Sequence, residues 1–313
     1  MDLLVSTFGS VTVLLGIGTL GFWIISKRIM PQQALGALSP LALDIAMPSL
    51  VFASIISNFS PRDSTNWWHL PLYWVAFAAV AALLTALAML AARKMFRREF
   101  GVSLFYQNGL FFPLAILSGM YPGQATYLVY LFLFMLFYPA FFFNTYHIFF
   151  RKKEASFDWR RFLNPVLVAS LLAVGIRLFD LQVHIPDFVM RIFTLLGGMT
   201  IPLVMIILGG SIYIDFQERG TIYWGEIVKF VLVKNIAFPL VFLGLLAAAR
   251  LENSVALIIF LESAVPPVSA VPILTQRAGG NHSIVNQFVI GSFIASLVSI
   301  PIMVMIFGMV FGQ

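Results

Sequence analysis

Residues 105–113 read Phe-Tyr-Gln-Asn-Gly-Leu-Phe-Phe-Pro, and residues 262–269 read Glu-Ser-Ala-Val-Pro-Pro-Val-Ser. Each stretch has a polar residue five positions before a proline, and these two residues, Asn108 and Glu262, are 154 positions apart. Proline inside a helix removes a backbone donor and clashes with the carbonyl group four residues earlier. In a membrane the freed groups are tolerated only against protein or a water-filled cavity. Both stretches therefore predict a broken membrane helix that lines a site.

Like residues recur at the same spacing elsewhere in the chain: Pro48 with Pro202, Pro113 with Pro267, and Gly21 with Gly175. Two similar halves, each with a proline-broken helix, are typical of secondary transporters. The pattern predicts a first repeat at residues 1–150, a basic cytoplasmic linker at 151–163 and a second repeat at 164–313. The alternative is that these prolines are ordinary kinks of membrane helices.

The composition indicates an integral membrane protein. Hydrophobic residues make up 60% of the 313 residues and charged residues 10%, and the mean hydropathy is +0.95. Too little polar surface remains to coat a soluble domain. The net charge of +6 does not indicate a nucleic-acid partner, because the basic residues form short clusters between apolar runs, where they orient helices in the bilayer. The absence of Cys excludes disulfides and thiolate chemistry.

Ten apolar runs approach the length of about 20 residues that a membrane crossing needs. They cover roughly residues 4–25, 34–56, 70–92, 102–120, 125–150, 165–181, 188–212, 222–249, 255–275 and 284–311. Most Lys and Arg fall in loops on one side, which the positive-inside bias assigns to the cytoplasm, so both termini lie on the other side. Five crossings per half make the second half inverted. We predict an all-α fold of ten transmembrane helices in two inverted five-helix repeats, broken in the fourth and ninth.

Ionisable residues inside apolar runs are candidates for function, because an unpaired charge at mid-membrane costs at least about 2.5 to 3.5 kcal/mol. Asp44 lies in the second run, Lys234 in the eighth and Glu262 at the ninth-helix break. A carboxylate at a break can carry a proton or hold a cation. The alternative is that these side chains form structural pairs or reach loops. The four His lie near segment ends without ligand spacing, so we expect no metal site.

If the two broken helices cross at their breaks, we expect the substrate to bind there. Half-helix N-termini point their positive dipole ends toward the bilayer centre there, which favours an anion. The predicted binding residues come from both breaks: Asn108, Gly109, Pro113, Glu262, Ser263, Pro266 and Pro267. The predicted ion- or proton-coupling residues are Glu262, Asp44, Lys234 and Asn108.

Three segments carry a resemblance to a known family. Residues 195–212 read Leu-Leu-Gly-Gly-Met-Thr-Ile-Pro-Leu-Val-Met-Ile-Ile-Leu-Gly-Gly-Ser-Ile, residues 264–267 read Ala-Val-Pro-Pro, and residues 47–52 read Met-Pro-Ser-Leu-Val-Phe. With Asn164-Pro165 opening the sixth helix, the chain resembles the auxin efflux carrier family, which includes plant auxin carriers and bacterial malonate-type transporters. The resemblance implies a ten-helix inverted repeat, a scaffold from the first, second, sixth and seventh helices, and a substrate site where the fourth and ninth cross.

The function that the resemblance implies is alternating-access transport of a small organic anion, a carboxylate or dicarboxylate, across a bacterial inner membrane. The resemblance is also compatible with a homodimer. An ionised Glu beside an anion is repulsive, so we expect Glu262 to be protonated or cation-bound when substrate binds, coupling transport to protons or sodium. The family has glycines after the Asn, whereas Leu110, Phe111 and Phe112 stand here, which leaves the pocket size open.

Three alternatives remain. A more distant similarity to the bile-acid sodium symporters, where a Glu and an Asn of the crossing helices help bind sodium, suggests a sodium-coupled carrier of a larger amphipathic anion. A channel needs a continuous polar stripe, but the polar residues concentrate near the two breaks. An enzyme or receptor needs a catalytic constellation or a signalling domain, and the sequence has no Ser-His-Asp set, paired aspartates or metal motif. We expect no cofactor apart from a coupling ion.

Overall fold

The structure is a computed structural model that describes residues 2–62, 66–121, 124, 126–150, 164–217 and 221–312. Within these ranges the chain is helical and contains no strand. The helices are α1 Asp2–Ser26, α2 Ala34–Pro40, α3 Met47–Asn58, α4 His69–Ala88, α5 Arg97–Phe105, α6 Phe111–Met120, α7 Thr126–Phe134, α8 Tyr138–Thr145, α9 Pro165–Leu178, α10 Asp187–Gly198, α11 Thr200–Gln217, α12 Trp224–Val231, α13 Phe238–Ala249, α14 Asn253–Ala264, α15 Val271–Arg277 and α16 His282–Phe311. The linker predicted at 151–163 lies outside the described residues.

Among the described residues, seven helical stretches are long and apolar enough to cross a membrane. They are Phe8–Ser26, Ala34–Asn58, His69–Ala88, Thr126–Phe150, Asp187–Ile214, Trp224–Ala249 and His282–Phe311. Three apolar helices are shorter, namely α6, α9 and α14. The described residues are all-helical, and these stretches are consistent with the predicted integral membrane protein.

Prolines change the helix geometry in several of the apolar runs. In the second run, α2 passes into a π-helical turn at Leu41–Ala46, and Pro48 is the second residue of α3. In the eighth run the π-helical turn is Leu232–Ala237, and Pro239 is the second residue of α13. A π turn is a local widening of the helix. It lets the helix continue although the proline has no N–H to donate to the carbonyl group four residues earlier. The fifth run, which the sequence predicted as continuous, is divided between α7 and α8 just before Pro139.

Glycines let α1 and α3 approach α11 and α10 closely. A side chain at Gly209 would place its Cβ 1.8 Å from the carbonyl oxygen of Gly18, and one at Gly21 would place it 2.3 Å from that of Ile206. Gly197 on α10 lies in the same way against the backbone of α3. Lipid tails are as apolar as the helices, so membrane helices associate through such close packing of small residues. These contacts, with the packing of α9 on α3, join four runs into a first packed unit.

The broken helices belong to a second packed unit, which α4 to α8 and α12 to α16 form. Three buried rings join α5, α12 and α16 in its interior. The rings of Phe230 and Phe288 stack at 4.6 Å, and the ring of Phe100 meets them edge-on at 5.1 and 5.6 Å. Aromatic pairs of this geometry add about 0.5 to 1.5 kcal/mol to the free energy of area burial.

A side-chain cap fixes where α9 begins. Asn164 has extended backbone angles, and its Oδ1 accepts a 2.9 Å hydrogen bond from the backbone N–H of Leu167. We expect Asn164→Ala to lower the free energy of unfolding by about 1 kcal/mol, measured by chemical denaturation in detergent. Asn164→Asp keeps the acceptor oxygen and should lose less than half as much. An equal loss in both variants would contradict the capping role.

Candidate functional site

The two broken helices meet at their breaks and are joined there by backbone hydrogen bonds. The backbone N–H of Asn108 donates to the carbonyl oxygen of Pro266 at 2.8 Å, and that of Val268 donates to the carbonyl oxygen of Tyr106 at 3.0 Å. An isolated antiparallel bridge lies between these two bonds. The segment between α5 and α6 therefore runs antiparallel to the segment between α14 and α15. We call this place the crossing.

The tandem prolines set free two carbonyl groups at the end of α14. Pro266 and Pro267 have no N–H, so the carbonyls four residues before them, those of Glu262 and Ser263, cannot make their helical bonds. The Ser263 carbonyl oxygen instead accepts a 3.1 Å hydrogen bond from Nζ of Lys234. A side chain from the eighth run thus replaces the missing backbone donor.

The carboxylate of Glu262 lies directly on Gly109. Glu262 is only 1% exposed, and a Cβ added at Gly109 would be 1.9 Å from its Oε2 and 2.7 Å from its Cδ. The other oxygen, Oε1, is buried and has no hydrogen-bond partner. Gly109 thus provides the space that the carboxylate occupies, and Oε1 is available to a ligand.

Lys234 brings a positive charge to the crossing. Its side chain is fully buried, its Nζ lies 4.8 Å from the ring centroid of Phe238, and its charge interacts with that of Glu262. The next residue, Asn235, is also buried and is hydrogen-bonded to Ser292 on α16, accepting from its Oγ at 2.8 Å and donating to its carbonyl oxygen at 3.1 Å. The π turn therefore aims two consecutive polar side chains into the protein, one at α14 and one at α16.

Two residues at the crossing were not predicted from the sequence. The hydroxyl of Tyr138 donates to the carbonyl oxygen of Gln107 and interacts electrostatically with Glu262. The side chain of Gln107 is 3% exposed, and its Nε2 has no hydrogen-bond partner. Gln107 could have been found as a second amide beside Asn108 in an apolar run. Tyr138 had no such signal, because only the fold of the fifth run brings it to the crossing.

Most of the predicted site residues come together, but one of the coupling candidates does not. Asn108, Gly109, Glu262, Ser263, Pro266 and Pro267 lie at the crossing, Lys234 contacts it, and Pro113 is buried in the first turn of α6. Asp44 is exposed, on the π turn between α2 and α3. It therefore lies apart from the buried polar group that the other three coupling candidates form.

The bulky residues after Gly109 differ in how deeply they are buried. Phe112 is buried and meets the ring of Phe293 on α16 edge-on at 5.6 Å. Leu110 and Phe111 are half-buried. The ring of Phe112 therefore packs between helices, and the carboxylate of Glu262 is the group that fills the space beside Gly109.

The crossing has no cluster of metal-ligand side chains among the described residues. Among the described ranges, no three His, Asp or Glu side chains are grouped as ligands for a metal ion. The polar atoms around the crossing that are buried and unpaired are an amide nitrogen, Gln107 Nε2, and a carboxylate oxygen, Glu262 Oε1. Unpaired buried polar atoms are costly, so these two are the atoms that a bound ligand would satisfy.

Comparison with known proteins identifies the kind of molecule. A family model described as a membrane transport protein matches residues 6–161 and residues 149–304 of the chain. The first match contains the broken pair α5 and α6, and the second contains α14 and α15. No curated protein matches the chain.

Proposed function

Because the chain belongs to the auxin efflux carrier family of membrane transport proteins, we propose that it is a secondary transporter of a small organic anion. The observation that carries the proposal is the crossing, where Asn108, Glu262 and Lys234 are buried together between two broken helices. Secondary transporters bind their substrates at discontinuous helices of this kind. Membership of the family indicates that the protein is a membrane transporter. The chemistry of the crossing indicates the class of substrate.

The donors at the crossing favour an anion. The ammonium of Lys234 and the unpaired Nε2 of Gln107 are both donors, and the N-terminus of α6 adds the positive end of a helix dipole. The amide of Asn108, which is 3% exposed, supplies both a donor and an acceptor. A carboxylate or dicarboxylate would satisfy these groups. The buried surroundings favour a small molecule.

We also propose the ten-crossing arrangement with two inverted repeats, residues 1–150 and 164–313. Each of the ten apolar runs contains a described helix, and the fourth and ninth are the runs divided at the crossing. An inverted pair brings its two broken helices together antiparallel at mid-membrane. The antiparallel backbone bonds between the two breaks support this arrangement.

The proposed location is the inner membrane of a bacterium, with both termini on the non-cytoplasmic side. The support is the distribution of basic residues, because Lys27 with Arg28 and the cluster from Arg93 to Arg98 fall on the same side of the ten-helix arrangement.

The exposed apolar side chains of α10, among them Phe188 and Leu195, suit either lipid or a second copy of the chain.

A second candidate is a sodium-coupled carrier of a larger amphipathic anion. The unpaired Oε1 of Glu262 favours it, because carboxylate and freed carbonyl oxygens suit a hard cation. This candidate requires that sodium itself binds at the crossing. The two candidates therefore differ in a result that can be measured without knowing the substrate.

The test is a thermal-stability screen of the purified protein against small mono- and dicarboxylates, each with and without sodium. A ligand that binds only the folded state raises the melting temperature. We expect one small carboxylate to stabilise the wild type and Asn108→Ala to weaken its apparent affinity about tenfold, the loss of about 1.4 kcal/mol of hydrogen bonding.

A matched amide variant makes this test specific. Asn286→Ala removes another amide, one that is also buried and lies on α16, and should leave carboxylate affinity within about twofold of wild type, a difference of about 0.4 kcal/mol. Stabilisation by no carboxylate, or equal weakening in both variants, would count against the proposed site. Stabilisation by sodium and a bulky amphipathic anion would favour the second candidate.

A further inference from the structure

We infer that Lys234 is a built-in cation: its ammonium group occupies the position at the broken ninth run where a carrier would otherwise bind a coupling metal ion. The inference rests on the proposed function and specifies its coupling. It predicts that the crossing binds no sodium, and that the anion is carried without it.

The first argument is the identity of the atom that Lys234 contacts. Carbonyls freed at the breaks of discontinuous helices are the groups that coordinate sodium in many carriers. Here the Ser263 carbonyl, which Pro267 deprives of its helical donor, accepts from Nζ of Lys234 at 3.1 Å. A positive charge already fills the ligand position that the tandem prolines create.

The second argument is charge balance in a buried site. Glu262 is 1% exposed and Lys234 is 0% exposed. An isolated buried charge is strongly unfavourable, so a buried ion is stabilised by a nearby group of opposite charge. The charge of Lys234 interacts with that of Glu262. When both groups are ionised they carry no net charge together, so an arriving anion does not need a metal ion to offset the carboxylate.

The third argument is that the surrounding helix geometry and hydrogen bonds hold Lys234 in place. It lies in the π turn Leu232–Ala237, which Pro239 follows. The neighbouring Asn235 fixes this turn to α16 through its bonds to Ser292. π turns occur frequently at functional sites. The ring of Phe238 supplies a further surface for the ammonium group.

The experiment removes the ammonium group of Lys234 and measures whether sodium then binds in its place. Lys234→Met keeps a long apolar stem without the ammonium. We expect sodium, at constant ionic strength set with choline, to leave the melting temperature of wild type unchanged and to raise that of Lys234→Met by at least about 3 °C in a saturable way. Lys229→Met is the matched control, because Lys229 lies in the same run and also pairs with a buried acid, Glu226, at 2.9 Å. Glu226 keeps its pair with Arg93 at 3.3 Å in that variant, so the variant should not respond to sodium.

A double variant keeps the test informative if Lys234→Met folds poorly. Lys234→Met with Glu262→Gln removes both charges, so it should melt higher than Lys234→Met alone and lose the sodium response. Stabilisation of the wild type by sodium, or a folded Lys234→Met that ignores sodium, would overturn the inference. No substrate is present in these measurements, so their outcome is separate from the carboxylate screen: a built-in cation without a carboxylate ligand would contradict the proposed function alone.

Discussion

Replacing Gly109 with Ala is expected to reduce anion uptake about a hundredfold while leaving the protein folded. The new Cβ would stand 1.9 Å from Oε2 of Glu262, so the carboxylate must move, and with it the charge that interacts with Lys234. A displacement of about 1 Å in a binding site can cost a hundredfold in rate. The atom that must move is the end of a flexible side chain, so the backbone of the crossing should persist. The measurement is initial uptake into proteoliposomes of the carboxylate that stabilises the wild type, with the melting temperature recorded beside it.

Two further variants separate this displacement from a general effect of the substitution. Gly175→Ala makes the same change in α9 at a position with nothing within 4 Å of the new Cβ, and uptake should stay within about twofold of wild type, a difference of about 0.4 kcal/mol. Glu262→Asp shortens the acid by one methylene, so it should restore part of the uptake when added to Gly109→Ala. If Gly175→Ala lost as much as Gly109→Ala, the contact with Glu262 would not be the cause.

Gly209→Ala should cost about 3 kcal/mol of unfolding free energy, the upper part of the range for overpacked interiors. The added Cβ would be 1.8 Å from the carbonyl oxygen of Gly18 and 3.0 Å from its Cα. Both are backbone atoms, so no side chain can give way and α1 must separate from α11. Close approach is what holds membrane helices together, so the loss extends along the whole contact. Chemical denaturation of the detergent-solubilised protein measures it.

The control for Gly209→Ala lies on the partner helix. Gly16 is exposed on α1, and a Cβ there meets nothing within 4 Å. Gly16→Ala should change the unfolding free energy by less than about 1 kcal/mol, with a small gain from helix propensity. A similar loss in both variants would mean that α1 tolerates no substitution, which would contradict an effect specific to the Gly209 contact.

The sequence predicted the breaks and most of the crossing because their causes are local. A proline in an apolar run removes a backbone bond wherever the helix lies, and a polar residue five positions before it is visible in one dimension. Asn108 and Glu262 were therefore found without any knowledge of packing. The family match also agrees with the resemblance inferred from residues 195–212 and 264–267.

The features that could not be predicted from the sequence depend on which helices become neighbours. Asp44 and Lys234 look alike in the sequence, each a charge in an apolar run near a proline. Packing separates them, because the π turn of the eighth run faces α14 and buries Lys234, whereas Asp44 is exposed. The position of Tyr138 and the contact between Gly109 and Glu262 also depend on tertiary packing. No periodicity in the sequence indicates either of them.

The bridge between Gln107 and Pro267, with the two hydrogen bonds beside it, should limit how the proposed carrier can move. Opening the crossing would leave buried backbone groups unpaired, at about 1 to 3 kcal/mol each. The groups that hold the anion should therefore keep one geometry throughout the transport cycle. Inward-facing and outward-facing conformations would then differ in the walls that shield this rigid piece from water, and the affinity for the anion would be the same on the two sides of the membrane.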